Sequence, residues 1–211
     1  MQLIGMLDSP FVRRVAVSLL VLRVPFTHRS VSVFRGFDEF RRINPVVKAP
    51  TLVCSDGTVL MDSTLMLQYA EALARPRTLL PAAPAELARA LHAIGLALAA
   101  CEKTAQIVYE RGLRPAEKQH QPWVDRVTGQ LQAAYRGLEQ AMQAAPLPAA
   151  GSALDQATIT AAVAWHFSRQ MVPEALPAAE HPALEALSSS CEALPEFRAA
   201  PHGEGTVATG G

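Results

Sequence analysis

The chain is poor in several things that would point to familiar functions. Lys plus Arg and Asp plus Glu number 19 each, a formal charge of zero, so no electrostatic footprint for nucleic acid or an anionic membrane exists and neither is an expected partner. Cysteine is scarce. Cys54, Cys101 and Cys191 are odd in number, far apart and without CxxC spacing, which argues against a disulfide framework or a zinc site and suits a reducing cytoplasm. No basic leader precedes a long apolar core, and the apolar runs 15–22 and 93–101 fall short of the roughly 20 residues a membrane span needs. What the chain does have is apolar content. Half of its 211 residues are hydrophobic, enough to bury the core of one large domain or two small ones.

Two textures divide it. Up to about Ala74, strand-like and helix-like segments alternate: Gln2–Met6 extended, Pro10–Arg23 helical, Phe26–Val33 extended, Phe37–Ile43 a short helix. Thr51–Cys54 and Val59–Met61 flank Ser55-Asp56-Gly57, where Asp-Gly suits a hairpin, and Asp62–Ala74 carries a helical apolar pattern. The order is βαβ then ββα. Beyond the proline-marked stretch Arg75–Pro84, Ala, Leu, Gln and Glu dominate and helices are expected at Ala85–Arg111, Ala116–Ala144, Ser152–Arg169, Pro182–Ser190 and Leu194–Ala200. The expected domains are 1–76 and 85–201, the first mixed α/β and the second all helical. The Gly-rich end, 202–211, lacks a buried pattern and is expected to be disordered.

Four motifs stand in sequence: "SPFVRR" opening the first helix, "INPVVKAPTLV" leading into the hairpin, "MDST" opening the third helix, and "SALDQATITAAVAW" in the helical half. Each has an ordinary reading. Ser9 suits an N-cap with Pro10 at the first helical position, Pro50 suits a strand start, and Asp62 or Ser63 suits the N-cap of the next helix. Ser152 and Asp155 fit a capping-box-like pair at N-cap and N3.

In this order and spacing the motifs resemble the cytosolic glutathione transferase superfamily, in its bacterial branches with an N-terminal Ser/Cys-Pro-Phe motif. The resemblance spans about residues 1–200 and implies a thioredoxin-like N-terminal domain followed by an all-helical domain. It further implies a glutathione site made by Ser9, Phe11, Lys48, Ala49, Pro50, Asp62 and Ser63. Ser9 would be the catalytic hydroxyl beside the sulfur, Ala49 before a cis Pro50 would pair with the cysteinyl backbone, and Lys48 would meet the glycine carboxylate. Asp62 would meet the γ-glutamyl amine, with Ser63 and its neighbouring amides on the α-carboxylate. A serine can depress a thiol pKa by hydrogen bonding but cannot form a mixed disulfide. Addition or substitution by thiolate is therefore favoured over exchange.

A second substrate, a small hydrophobic electrophile, would lie between the domains near Ala99, Glu102, Lys103, Gln106 and Tyr109 of the first long helix. Those positions equally fit core and rim. Cys101 reads as a small buried hydrophobe, Trp123 and Trp165 as packing residues, and no metal motif is present. The resemblance also implies a cytoplasmic homodimer active in detoxification, with glutathione as co-substrate and no metal. The alternative is a dimeric binding or interaction protein of the same fold with little turnover.

Overall fold

Leu3 and Ile4 set the architecture, because neighbours on a strand face opposite sides of a sheet. In the computed structural model, which describes residues 1–145 and 154–208, both are fully buried. They belong to β1 (Gln2–Ile4), which pairs in parallel with β2 (Thr27–Arg29) and antiparallel with β3 (Thr51–Val53). β3 in turn pairs antiparallel with β4 (Val59–Leu60), giving the order β2-β1-β3-β4. Ile4 packs with Val31 and with Phe40 of α2 (Phe37–Ile43). Helices α1 (Pro10–Leu22) and α3 (Ser63–Ala74) pack on each other, with Val12, Val15, Leu19, Met66 and Leu67 buried.

The chain divides into two units. One comprises Met1–Leu79 with Ala193–Gly211, the other Leu80–Glu192. The second unit is all helical: α4 (Pro84–Leu113), α5 (Gln121–Ala144), α6 (Gln156–Met171) and α7 (Pro182–Glu192). α4 packs on α5 and α6, and α7 on α5 and α6. At its centre Tyr135 donates its hydroxyl proton to Ala164 O at 2.7 Å, its oxygen is hydrogen-bonded to Ser168 Oγ at 2.8 Å, and its ring meets Trp165 edge-on at 5.1 Å. Glu139 caps α7, its two carboxylate oxygens accepting from the amides of Ala183 and Leu184. Among the described residues α4 is the one helix whose length and apolarity would suffice for a membrane span, an average property that no continuous apolar run revealed.

Several expectations are corrected. The helix expected over Ala116–Ala144 is a short 3-10 turn, Ala116–Lys118, followed by α5 from Gln121. Pro122 decides this: it lacks an N–H and is tolerated in a first turn but not seven residues into a helix. Asp155 is the N-cap of α6, accepting from Thr158 N at 2.7 Å, and not its N3 residue; Ser152 lies outside the described residues. Only Thr27–Arg29 of the expected extended stretch Phe26–Val33 is strand. Trp123, expected to pack, is 40% exposed.

The last helix, α8 (Pro195–Ala199), belongs with the first unit and not with the bundle, so the second unit ends at Glu192 and not at residue 201. Residues 202–208 are not a disordered tail. Val207 is buried, its amide donates to His28 Nδ1 at 3.1 Å, and Ala208 N donates to Ala199 O. Glu204 pairs with Arg35, and its backbone carbonyl accepts from Ser30 Oγ. Hydrogen bonding and one apolar anchor hold a segment whose composition carries no periodic signal; residues 209–211 lie outside the described chain.

Candidate functional site

Strand register brings three of the sequence motifs to one end of the sheet. Ile4 is opposite Thr51, so the chain leaving β1 toward Ser9 starts beside the chain entering β3 from Lys48, Ala49 and Pro50. Leu60 is opposite Leu52, and the chain then runs through Met61 to Asp62 and Ser63. The close approach requires Gly5. Its φ is +135°, and a Cβ there would come within 2.6 Å of Val12 Cγ2 and 3.2 Å of Ala49 Cβ. Sequence reasoning passed over this glycine, although a lone Gly closing an apolar strand is a recognised sign of close backbone approach.

Ser9 is the N-cap of α1, with Pro10 at the first helical position, and its Oγ accepts the Val12 N–H at 3.4 Å. That bond uses an acceptor lone pair, so the hydroxyl proton stays available to donate. The side chain stands at the positive end of α1, where a nearby negative charge is stabilised. Beside it, burial raises the Asp8 carboxyl above its ordinary range, opposed by the charge of His202. Phe11 is half-buried in the first turn.

The loop carrying Lys48, Ala49 and Pro50 is held from behind. Buried Asn44 donates to Thr51 Oγ1 at 2.8 Å and accepts from Val46 N at 3.1 Å, while Thr51 Oγ1 donates to Lys48 O at 2.7 Å. The Ala49–Pro50 peptide is cis. Pro50 is buried, Ala49 half-buried and Lys48 exposed.

At the start of α3, exposed Asp62 is the N-cap, its Oδ1 accepting from Thr64 N at 3.0 Å and Leu65 N at 3.4 Å. Ser63 is buried, and Arg14 Nη1 donates to its Oγ at 2.9 Å and to Thr64 Oγ1 at 3.3 Å. Arg14 was missed in the sequence: in "FVRRVAV" it reads as a polar residue inside an apolar helix. Its neighbour Arg13 is buried too, donating through Nε to Ala200 O at 2.8 Å and lying over Phe197.

The positions expected to face a second substrate all lie on α4. Glu102 accepts from Gln106 Nε2 at 2.8 Å and from Lys103 Nζ at 3.3 Å, Ala99 is half-buried and Tyr109 is exposed. Cys101 is buried. Among the described residues no cluster of His, Cys, Asp or Glu is arranged to hold a metal ion.

Residues 3–78 match the family model described as the glutathione S-transferase N-terminal domain. Over most of its length the chain shares the fold of solved glutathione transferases. A glutathione transferase family member from Pseudomonas fluorescens Pf-5, solved with bound glutathione, is 26% identical with a TM-score of 0.81, the match covering 94% of this chain and 97% of that one. A glutathione S-transferase from Methylobacterium radiotolerans, solved with glutathione sulfonate, is 24% identical with a TM-score of 0.83 over 93% and 92% of the two chains. Glutathione S-transferase U4 of Arabidopsis thaliana is 30% identical over 90 residues, 43% of this chain and 40% of that protein. The chain spans less than half the length of the curated relatives it matches. The fold is the glutathione transferase fold, a thioredoxin-like domain with a small mixed sheet followed by a helical domain.

Proposed function

We propose that this chain binds glutathione at the end of the sheet where β1, β3 and β4 bring their flanking residues together, and activates its thiol for attack on a small hydrophobic electrophile. What supports the reading is the strand register that starts the chain toward Ser9 beside the chain leaving Ala49, together with the Arg14–Ser63 hydrogen bond between α1, which Ser9 caps, and the start of α3. Glutathione carries an amine, two carboxylates, two amides and a thiol. Asp62 suits the amine, Ser63 with the first amides of α3 an anionic group, Ala49 the peptide edge, and Lys48 the second carboxylate. Phe11 adds an apolar wall. Ser9 donates its hydroxyl proton to the sulfur and, with the positive end of α1, favours thiolate over thiol. Capping and catalysis are compatible at Ser9, since one uses a lone pair and the other the proton.

The thiolate then adds to, or displaces a leaving group from, an electrophile whose pocket draws on Ala99, Glu102, Lys103, Gln106 and Tyr109. The likeness to relatives solved with glutathione and glutathione sulfonate supports the first ligand; the electrophile is read from the resemblance alone. A cytoplasmic homodimer acting in detoxification, without a metal, completes the proposal. Calorimetric titration of glutathione into the wild type and Asp62→Ala tests it: saturable heat that weakens in the variant is expected, and no heat from the wild type would sink it.

A second reading, a binding protein with little turnover, draws on the engagement of the Ser9 side chain as a helix cap. Ser9→Ala separates the two. Retained glutathione binding with conjugation reduced about 100-fold is expected for an enzyme; a wild type silent toward a broad panel of electrophiles would favour the binding protein.

A further inference from the structure

The far end of the first unit holds a cavity that the glutathione reading does not use. It has a volume of about 680 Å³ and lies where α1 and α3 finish, lined by Leu22, Val24, Pro25, Phe26, Tyr69 and Leu73 together with Arg23, Arg75 and Arg77. Ser9 starts α1 and Arg23 ends it. The helix has 13 residues, so its two ends are about 20 Å apart, and the cavity is separate from the site at Ser9, Ala49 and Ser63.

Its charge is one-sided. Three arginines line it with no Asp or Glu among the lining residues, in a chain whose formal charge is zero. Other arginines of this unit meet carboxylates: Arg29 with Glu39, Arg35 with Glu204, Arg41 with Asp38. Among the described residues Arg23, Arg75 and Arg77 form no ion pair. Glu71, one turn before Arg75, is taken by the Leu79 amide at 2.8 Å. Asp56, whose charge reaches Tyr69 from the hairpin turn, has its carboxylate engaged by Thr58 N.

Arginines can also serve as plain counter-charges at helix C-termini, but α1 is already closed. The amides of Arg23 and Val24 meet the carbonyls of Leu20 and Leu19 at 3.0 Å, and Arg77 Nη1 donates to Leu22 O at 2.8 Å. That bond uses one of the five guanidinium donors of Arg77 and fixes the group at the cavity wall. Guanidinium forks match phosphate oxygens in pairs, and the apolar wall with the rings of Phe26 and Tyr69 suits an organic body. The space exceeds what a simple inorganic anion fills.

We infer that this cavity binds a phosphate ester with a planar or apolar body, of about the size of a nucleoside diphosphate, held by Arg23, Arg75 and Arg77. Adenosine diphosphate, pyrophosphate and adenosine are the probes, titrated calorimetrically into the full chain at low salt. Adenosine diphosphate is expected to bind saturably, pyrophosphate at least fivefold more weakly, and adenosine not at all. Arg75→Gln and Arg77→Gln, both exposed positions, should each weaken adenosine diphosphate several-fold and the pair about tenfold or more, with thermal midpoints confirming that the variants fold. Hydrogen exchange should show protection by the diphosphate at residues 22–27 and 73–77. Absence of saturable heat overturns the inference, as does equal binding of pyrophosphate, an undiminished affinity in folded variants, or protection that falls instead on residues 9–12 and 61–65.

Discussion

Arg14 Nη1 donates to Ser63 Oγ at 2.9 Å, tying the second turn of α1 to the first turn of α3 across 49 positions of sequence. The guanidinium is buried and serves as the strut between the helix start that presents Ser9 and the one that presents Asp62. Arg14→Met keeps the length and removes the donors. It is expected to destabilise the protein by about 1–3 kcal/mol and to weaken glutathione binding; urea denaturation and calorimetry read the two effects. Unchanged affinity in a folded variant would show that the two helix starts are positioned independently.

Gly5→Ala tests the close approach at the end of β1. The new methyl meets Val12 and Ala49, and φ is +135°, a region that disfavours any Cβ. A loss of about 1–3 kcal/mol is expected, with a drop in glutathione affinity because Ala49 must move. The denaturation midpoint and a glutathione titration on the same variant check it.

Acid should weaken the fold through His28. Its Nε2 contacts Gly5 O at 2.7 Å while its Nδ1 accepts from Val207 N at 3.1 Å, so both bonds are satisfied only by the neutral ring carrying its proton on Nε2. Burial lowers the His28 pKa below 6.5, and the same cause lowers that of buried His181. The unfolded chain therefore binds protons more readily than the folded one. Stability from both groups is present above pH 6.5 and is lost as pH falls through that value toward the lower folded-state pKa values. Urea midpoints at pH 7.5 and 5.5 should show the drop, and His28→Gln should reduce it. A midpoint constant across this range would contradict the assignment.

Two caps in the helical unit carry separable amounts of stability. Asp155→Ala removes the N-cap of α6 and is expected to cost about 1 kcal/mol. Glu139→Ala removes a buried carboxylate that receives two amides of α7, a charged acceptor on a helix start, and is expected to cost about 2–3 kcal/mol. Chemical denaturation of both variants checks the order. The reverse order would place the stability of the bundle at the start of α6.

Local signals were legible where one residue type decides the geometry. Asp56-Gly57 marked the hairpin, Phe37–Ile43 emerged as a helix with the expected bounds, and Pro10 and Asp62 marked two helix starts. The misreadings share a cause, which is reliance on periodicity. Apolar spacing ran through Pro122 and merged a 3-10 turn with α5, and its absence after residue 201 concealed a segment held by His28, Ser30 and Arg35. Arg14 and Asn44 were invisible for a different reason: what each does depends on a partner elsewhere in the fold, and a single residue type does not name its partner. The site's outline was therefore readable from its motifs, whereas the scaffolding that holds the motifs in place was not.

The return of the C-terminal segment sets the order in which the molecule can be completed. Phe197 and Ala200 are fully buried, against Arg13 of α1, which precedes the whole second unit in the chain. During synthesis the first unit waits through the whole of the second before its final pieces emerge from the ribosome. A chain cut within residues 193–200 would thus damage the half of the protein made first.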